Sequence, residues 1–461
     1  IDFIVRVWYN RLMAKNVSKD KNSELKKDIG KIKSFLEEAG ARGDARAGEL
    51  LSALGRVEGG LENRYGLSFE EYEDETENRL QKRPCSLERK DKFSFCGAGK
   101  ENVLIEGDNL AALFLLKKEY EGKIDLIYID PPYNTQNKDF VYHDSRVGAG
   151  GGYRHSQWLS FMEKRLRAAL PLLKESGVAF ISIDDNEYAQ LKLLCDGIFG
   201  EHNFIATIIW EKAYAPVNLK KHFSESHDYI LCYAKDKARA VCNGLARTKE
   251  ANVRYKNPDN DPRGLWKSGD LSVGPAVKEN VYEITTPSGR RVLPPDGYSW
   301  RLSKARYEQY VRENRIWFGP NGNSVPSIKR FLSDVKKGIT PTTIWKYGEV
   351  GHSQSATQEL KKLFGGQAVF SYPKPVALIK RIVGLYGGKD AVVLDFFAGS
   401  GTTAQAVMEQ NIEDGGSRTF ILCTNNENDI CRKVTFPRIK LAKEKCKADF
   451  AFGYYRVKFG R

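Results

Sequence analysis

Short apolar runs alternate with amphipathic stretches over most of the chain after residue 100. The runs NVLIE, KIDLIYID and GVAFISID have the length and composition of buried strands, and LAALFLLKKEY and AQLKLLCDGIF have helical spacing. This alternation predicts an α/β fold, in which helices cover both faces of a largely parallel sheet. The runs HDYILCYAK, AVVLDFFAG and TFILCTN extend the sheet, SQWLSFMEKRLRAALPLLKE predicts one long helix, and ADFAFGYYRVKF predicts an edge strand.

Two regions depart from this alternation. Apolar positions at helical spacing over residues 23–38 and again over 47–61 predict a pair of N-terminal helices, and the irregular stretch 68–100 predicts a linker. Between about Lys235 and Gly366, Gly, Pro and aromatic residues punctuate the sequence, which is typical of a loop-rich inserted domain. We therefore expect an N-terminal helical region with a linker (1–100), a first part of the sheet domain (101–234), an insertion (235–370) and a second part (371–461).

Positive charge is concentrated in the insertion. The 461-residue chain carries a formal net charge of +14, and residues 235–372 hold 24 Lys and Arg against 13 Asp and Glu. An evenly solubilising surface would spread this excess along the chain. The clustering favours nucleic acid as a partner.

Cysteine usage and hydropathy argue against several other classes of protein. The eight cysteines form no C-x-x-C pair and only six histidines accompany them, so neither a disulfide framework nor a metal site is indicated. We expect reduced thiols in a cytoplasmic protein. The apolar opening IDFIVRVWYN soon reaches Arg11 and is too short to span a bilayer, so we expect no membrane partner.

The first candidate site is the tetrapeptide Asp130-Pro131-Pro132-Tyr133, which ends an apolar run. Two consecutive prolines stiffen the backbone and leave carbonyls free to accept hydrogen bonds. The Asp130 carboxylate and the Pro131 carbonyl are suited to receive both hydrogens of one planar amino group, while Tyr133 offers a ring for stacking. The alternative is a tight turn that ends a strand and buries a tyrosine.

The second candidate site is the glycine-rich turn DFFAGSGTT, which follows the run VVL. Glycines at a strand-to-helix turn allow a ligand to approach the backbone, and the next helix offers its positive N-terminus. No Lys follows Gly401, so a phosphate loop is disfavoured, and Ala404 replaces the third glycine of a dinucleotide motif. Glu427, after the run TFILC, is positioned to accept ribose hydroxyls; the alternative is a solvated loop acid.

Together, and in this order, the two motifs resemble those of amino-group DNA methyltransferases of the β arrangement. The blocks EGDNLAAL, DLIYIDPPYNT, HSQWLSFMEKRL, GVAFISIDDNE, DPRGLWKSGDL, SYPKPVALIKRIV and LDFFAGSGTTAQAV resemble the modification subunits of type III restriction-modification systems and their solitary relatives. The resemblance covers residues 103–438. It implies a Rossmann-like, S-adenosylmethionine-dependent methyltransferase fold with a mixed sheet and an inserted α+β target-recognition domain.

The resemblance also implies roles for individual residues. Asp108 contacts the cofactor adenine, Glu427 contacts its ribose, and Lys374 and Pro375 pack near its methionine end. The alternatives are a helix N-cap for Asp108 and a plain loop for Lys374 and Pro375. The implied cofactor loop comprises Asp395, Phe396, Phe397, Ala398, Gly399, Ser400, Gly401 and Thr402.

The implied reaction is methyl transfer from S-adenosylmethionine to N6 of an adenine flipped out of double-stranded DNA. Alternatives are transfer to cytosine N4 or to RNA, and a catalytically silent DNA-recognition subunit for a nuclease. A homodimer and a restriction subunit with nuclease or helicase activity are the expected protein partners. Arg263 and Lys267 are candidate DNA contacts, whereas most of Trp266, Trp300, Trp317 and Trp345 are expected in cores.

Overall fold

The computed structural model describes residues 19–42, 47–48, 50–51, 54, 67–135, 154–216, 219–246, 252–335 and 338–460. The chain divides into two compact units. The first unit combines residues 1–242 with 342–461, and the second consists of residues 243–341. The second unit thus lies inside the predicted insertion, and both flanks of that insertion, 235–242 and 342–370, belong to the first unit.

A ten-stranded sheet forms the centre of the first unit, and its spatial order is β1-β10-β2-β9-β8-β3-β4-β6-β5-β7. The strands, numbered along the chain within this unit, are β1 (Cys85–Arg89), β2 (Asn102–Glu106), β3 (Ile124–Ile129), β4 (Leu173–Ile183), β5 (Phe204–Glu211), β6 (His227–Ala234), β7 (Ile344–Trp345), β8 (Val392–Asp395), β9 (Thr419–Thr424) and β10 (Phe452–Phe459).

The sheet is mixed. Every neighbouring pair from β10 to β4 is parallel, whereas β6 runs antiparallel to both β4 and β5, and β1 runs antiparallel to β10. The carboxyl ends of β2, β9, β8, β3 and β4 therefore share one edge. Because β6 is reversed, its first residues lie at that edge as well.

Helices cover both faces of the sheet, which confirms the predicted α/β fold. Those of the first unit are α1 (Lys19–Ala41), α2 (Glu75–Lys82), α3 (Asn109–Tyr120), α4 (Arg154–Ala169), α5 (Tyr188–Phe199), α6 (Tyr347–Val350), α7 (Ser353–Leu363), α8 (Val376–Tyr386), α9 (Thr402–Asp414) and α10 (Phe436–Cys446). On β4, Ile181 faces the cluster packed by α3, α4 and α5, whereas its neighbour Phe180 contacts Tyr386 of α8 at a ring distance of 5.5 Å. Helices α8, α9 and α10 pack in succession.

Three local predictions differ from the structure. The stretch predicted as a linker contains α2 and β1, and β1 pairs with β10, so β10 is not the edge strand. The long predicted helix ends at Ala169, because a 3-10 turn over Leu170–Leu172 includes a proline and Leu173 already begins β4. Strand β5 had no clear signal in the sequence.

The N-terminal helix α1 extends the predicted span of residues 23–38 and buries Ile29 and Leu36. The second predicted helix, 47–61, lies largely outside the described residues; Ala47, Gly48, Leu50, Leu51 and Leu54 are helical. Within the part of the chain that the structure describes, no helix has the length and apolar character needed to cross a membrane.

The second unit has a small α+β fold, as predicted. Strands Ile316–Trp317, Ser327–Phe331 and Trp266–Asp270 form an antiparallel sheet, to which two short strand pairs and the helix Lys304–Arg312 are added. Its core contains Leu271, Ile284, Val292, Trp300, Ile316 and Ile328. Trp266 and Trp300 are buried in this unit and Trp345 is buried in the first unit, so most of the four tryptophans are core residues, as expected.

The two ends of the second unit meet at a narrow neck. Leu245 and Ile339 exchange backbone hydrogen bonds of 2.8 Å in both directions. Next to them, a Cβ atom added to Gly244 would lie 2.7 Å from the Cα of Gly338, so neither position has room for a side chain without movement of the backbone.

Candidate active site

Four of the sequence-predicted site segments lie in order along one edge of the sheet. Asp108 follows β2, Glu427 follows β9, the glycine-rich turn follows β8, and Asp130 follows β3, and these strands are consecutive neighbours. Strands β8 and β3 are paired in parallel, with Leu394 opposite Ile127. The structure therefore brings the Asp130–Tyr133 tetrapeptide and the glycine-rich turn side by side.

The tetrapeptide is held from two sides. The indole nitrogen of Trp158, in α4, donates a 2.7 Å hydrogen bond to the Pro132 carbonyl. Asn134, whose φ of 54° is in the left-handed region, donates from its side chain to the buried carboxylate of Glu187. Burial raises the pKa of Glu187, which also lies 2.8 Å from Nδ1 of His155. The site segment is thus anchored to α4 and to the residue that precedes α5.

The Asp130 carboxylate forms an ion pair with Lys374. Both carboxylate oxygens lie 2.7 Å from the Lys374 ammonium, which is also 4.9 Å from the centre of the Tyr133 ring. This pairing, between residues 244 positions apart, was not predicted from the sequence. It places Lys374 directly on the predicted amino-group acceptor.

Tyr133 presents a half-buried ring, and its hydroxyl is buried. Among the described residues, this hydroxyl has no hydrogen-bond partner. Burial raises the pKa of Tyr133 well above its usual range, and the negative charges of Asp130 and Asp228 add to this effect. The phenol is therefore neutral at physiological pH.

The glycine-rich turn alternates between buried and partly exposed residues. Phe396, Ala398 and Ser400 are buried, whereas Phe397 and Gly399 remain partly exposed. A ligand at this turn would therefore meet Phe397 and Gly399 first. Gly399 has a φ of 46°, a conformation that glycine adopts without steric cost, and its carbonyl accepts a 2.6 Å hydrogen bond from Thr435.

Asp395 holds the turn through hydrogen bonds to two of its residues. Its carboxylate accepts hydrogen bonds from the Phe397 backbone N–H at 3.0 Å and the Thr403 hydroxyl at 2.5 Å. Burial raises the pKa of Asp395 to about 7, although both hydrogen bonds favour the charged form. The oxygens of Asp395 therefore hold the turn itself, and its predicted contact with a cofactor stays a prediction.

A buried arginine, which the sequence analysis did not identify, also holds the turn. Nη1 of Arg438, in α10, donates to the hydroxyl oxygens of Ser400 and Thr402, each at 2.8 Å, and its Nε donates to Gln405. All of these acceptors are neutral, and burial lowers the pKa of Arg438 to about 10. The Ser400 and Thr402 side chains thus form hydrogen bonds inside the protein. Only the backbone atoms of these two residues would remain available to a ligand.

Asp108 is a helix N-cap, the alternative raised by its sequence context. Its Oδ1 accepts from the backbone N–H of Leu110 at 2.8 Å, and its Oδ2 lies 3.2 Å from the buried Arg165. The same arginine donates to Asp74 and to Asn109. The turn after β2 is therefore fixed by Arg165, and contact between Asp108 and a cofactor stays a prediction.

Glu427 and Pro375 occupy turns near the same edge. Glu427 lies directly after β9 in a short 3-10 turn, is partly exposed, and accepts a 3.0 Å hydrogen bond from Asn425. Pro375 is the N-cap of α8 and directly follows Lys374. The roles predicted for Glu427, Lys374 and Pro375 at a cofactor stay predictions.

Arg263 and Lys267 lie in the second unit. The Arg263 guanidinium pairs with Asp261 and donates to the backbone carbonyls of Glu313 and Asn314. These contacts give it an internal structural role. Lys267 is stacked 5.2 Å from the centre of the Tyr255 ring. DNA contact by either residue stays a prediction.

A polar cavity of about 360 Å³ adjoins the tetrapeptide at the same edge of the sheet. Lys212 in its wall forms a 2.6 Å ion pair with the buried Asp228, and burial raises the pKa of Asp228. The cavity is lined by Thr135, Asp184, Asp185, Asn186, Lys212 and Glu225. Within the residues that the structure describes, no group of His, Cys, Asp and Glu side chains is suited to hold a metal ion.

Comparison with known proteins identifies the family. The DNA methylase family designated N6_N4_Mtase matches residues 124–435. The type III restriction-modification enzyme StyLTI Mod subunit of Salmonella typhimurium is 39% identical over 366 residues, which cover 73% of this chain and 55% of that protein. The EcoPI Mod subunit of Escherichia phage P1 is 36% identical, with coverages of 71% and 58%. The type II methyltransferase M.KpnI of Klebsiella pneumoniae is 35% identical, with coverages of 69% and 79%.

The chain thus spans between half and two thirds of the length of the two Mod subunits. The matched residues include both motifs and the whole second unit. The similarity to type III modification subunits that the sequence blocks indicated is confirmed. The chain belongs to the DNA methylase family.

Proposed function

We propose that the chain is a site-specific DNA methyltransferase that transfers the methyl group of S-adenosylmethionine to N6 of adenine in double-stranded DNA. One observation carries this proposal: the Asp130–Tyr133 tetrapeptide and the glycine-rich turn leave adjacent parallel strands at the same edge of the sheet. An acceptor for an amino group thereby lies beside a turn suited to hold the methyl donor.

The tetrapeptide supplies two acceptors for one amino group. The Asp130 carboxylate takes one N6 hydrogen and the Pro131 carbonyl takes the other. Trp158 occupies the Pro132 carbonyl, and no described residue donates to that of Pro131. Holding both hydrogens favours a tetrahedral nitrogen, whose lone pair is less delocalised into the ring. Attack of this nitrogen on the methyl carbon would form the nitrogen–carbon bond as the methyl–sulfur bond breaks, and the nitrogen would then lose one hydrogen to solvent as a proton. Alignment of the reacting atoms would supply much of the rate.

The target adenine must leave the duplex to reach this edge, because N6 is inaccessible while the base is stacked and paired. We propose that the flipped base stacks on the Tyr133 ring. The polar cavity beginning at Thr135 offers space for the nucleotides around it.

The exposed residues of the glycine-rich turn fit S-adenosylmethionine. Phe397 and Gly399 offer a ring face and an accessible backbone, and Glu427 on the neighbouring strand end offers a carboxylate for the ribose hydroxyls. Asp108 lies one strand further from Asp130 than Glu427 does and would contact the adenine end of the cofactor. Pro375 directly follows Lys374, which pairs with Asp130, and would lie near the methionine end. When bound, the cofactor supplies a methyl group on a positively charged sulfur.

We propose double-stranded DNA as the substrate and the second unit as its main recognition surface. Residues 243–341 contain 18 Lys and Arg against 10 Asp and Glu. The names of two relatives, both Mod subunits, support a restriction subunit as a further partner. We also propose a homodimer and action in the cytoplasm, where the DNA of a prokaryotic cell lies.

The test is methyl transfer by the purified chain. We expect N6-methyladenosine as the modified nucleoside after digestion of DNA treated with the chain and S-adenosylmethionine, and none with Asp130→Ala. Sequencing of DNA from cells that express the chain then gives the recognition site. N4-methylcytosine, methylation of RNA alone, or DNA binding without methyl transfer would each overturn the proposal in favour of one of the alternatives.

A further inference from the structure

We propose that the Lys374 ammonium occupies the amino-group subsite of Asp130, and that the target base must displace it to react. This inference rests on the proposed function and deepens it. Both Asp130 oxygens lie 2.7 Å from the Lys374 nitrogen, so the ammonium uses both oxygens of the carboxylate that the substrate requires.

The ammonium also overlaps the space that the base needs. Its nitrogen lies 4.9 Å from the centre of the Tyr133 ring, which is within cation–π range and is the surface on which the base would stack. Lys374 therefore satisfies the carboxylate and the ring at the same time. A flipped adenine replaces both contacts, one through its amino group and the other through its ring.

This exchange has a measurable consequence for substrate binding. The hydrogen bond from the adenine amino group to Asp130 forms only when the ion pair with Lys374 is lost, and hydrogen bonds involving charged groups are among the strong ones. Breaking the ion pair therefore offsets part of the affinity that the amino group contributes. Without the Lys374 charge, the amino group should make a larger contribution to the measured affinity for the base.

The experiment compares two duplexes that contain the recognition site, one with the target adenine and one with purine, which lacks the amino group. The measured quantity is the dissociation constant of the purine duplex divided by that of the adenine duplex. We expect this ratio to be about tenfold higher in Lys374→Met than in the wild-type chain. Lys374→Arg should lower it, because a guanidinium binds a carboxylate through two parallel hydrogen bonds. Lys374→Gln provides a second uncharged side chain if the Met variant does not fold.

Lys380→Met is the matched control. Lys380 lies in α8 and pairs with Glu409 at 3.7 Å, so its loss should leave the ratio unchanged. Binding of S-adenosylmethionine to Lys374→Met, measured without DNA, separates this role from the predicted contact with the methionine end. An unchanged ratio in Lys374→Met, with a wild-type chain that methylates adenine, would overturn this inference alone. A wild-type chain without methyl transfer would overturn the proposed function and this inference with it.

Discussion

The indole nitrogen of Trp158 donates a hydrogen bond of 2.7 Å to the carbonyl of Pro132. This bond connects the helix α4 to the segment proposed to grip the target base. The two prolines have no backbone N–H groups, so they cannot donate hydrogen bonds and can only accept them through their carbonyls. The Pro132 carbonyl, one residue after that of Pro131, is therefore held by a donor from α4.

Trp158→Phe should slow methyl transfer more than it weakens cofactor binding. The variant keeps an aromatic ring but leaves the Pro132 carbonyl without its donor, at a cost of about 1–3 kcal/mol in stability. We expect kcat to fall about tenfold with little change in the affinity for S-adenosylmethionine. Single-turnover kinetics and equilibrium binding of the cofactor measure the two effects separately.

Trp345→Phe is the matched control for this prediction. Trp345 is buried and donates a 2.8 Å hydrogen bond to the Thr342 carbonyl, on the outermost strand β7. The Trp345→Phe variant should lose about as much stability as Trp158→Phe and keep the wild-type kcat. Equal loss of kcat in both variants would mean that Trp158 acts only through stability.

Tyr133 should tolerate Phe and not Ala. Its hydroxyl is buried without a partner among the described residues, whereas its ring packs on the core and offers the proposed stacking surface. We expect Tyr133→Phe to stay within about threefold of wild-type kcat/KM and to be no less stable, because an unsatisfied polar group is removed. Tyr133→Ala should lose at least about a hundredfold, from the loss of stacking and alignment.

A large loss of kcat/KM in Tyr133→Phe would contradict this assignment and give the hydroxyl a direct role in the reaction. Circular dichroism and thermal unfolding of both variants serve as the control for folding.

Asp395 should make the stability of the protein depend on pH. Burial raises its pKa from 3.8 to about 7, so the folded protein binds this proton more tightly than the unfolded chain does. The contribution of Asp395 to stability therefore falls as pH rises from about 4 to about 7. Asp395→Asn does not titrate, so its free energy of unfolding should rise by up to about 3 kcal/mol relative to wild type between pH 5 and pH 8.

Urea denaturation of both proteins at pH 5 and at pH 8 measures this change. A difference in unfolding free energy that is the same at the two pH values would show that the Asp395 carboxyl does not titrate in this range.

Arg438 should be required for cofactor binding through the turn that it supports. Its guanidinium reaches Ser400, Thr402 and Gln405 together, and a lysine ammonium has neither the reach nor the planar shape to do so. We expect Arg438→Lys to weaken binding of S-adenosylmethionine about tenfold and to lower stability by about 2 kcal/mol. Calorimetric titration with the cofactor and thermal unfolding test both effects.

Arg418→Lys provides a control with a similar cost in stability. Arg418 is also buried, and it donates to the Gly387 carbonyl and to Asp414 at the other end of α9. Its replacement should leave cofactor affinity unchanged. Weakened cofactor binding in both variants would assign the effect to global destabilisation.

The parts of the site that the sequence predicted are local. Asp130–Tyr133 and the glycine-rich turn each combine a strand and a turn within a few residues, so their signals survive in the sequence. The rule that parallel strands end at one edge then brings the two segments together without knowledge of the fold in detail. The same locality made the sheet and most of its helices predictable.

The parts that the sequence missed depend on contacts between distant segments. Lys374 is 244 residues from Asp130, and Arg165 is 91 residues from Asp74. A single buried cation has no periodic pattern that would identify its partner. Strand β1 was missed for the same reason, since its five residues are recognisable as a strand only when paired with β10.

The neck at Gly244 and Gly338 has a consequence for exchange of the second unit. Because the polypeptide enters and leaves the 243–341 unit through two closely packed glycines, a replacement domain would need closely spaced termini to be accepted there. If the second unit reads DNA, as we propose, such an exchange would alter the sequence that is read and leave the register of the sheet strands unchanged.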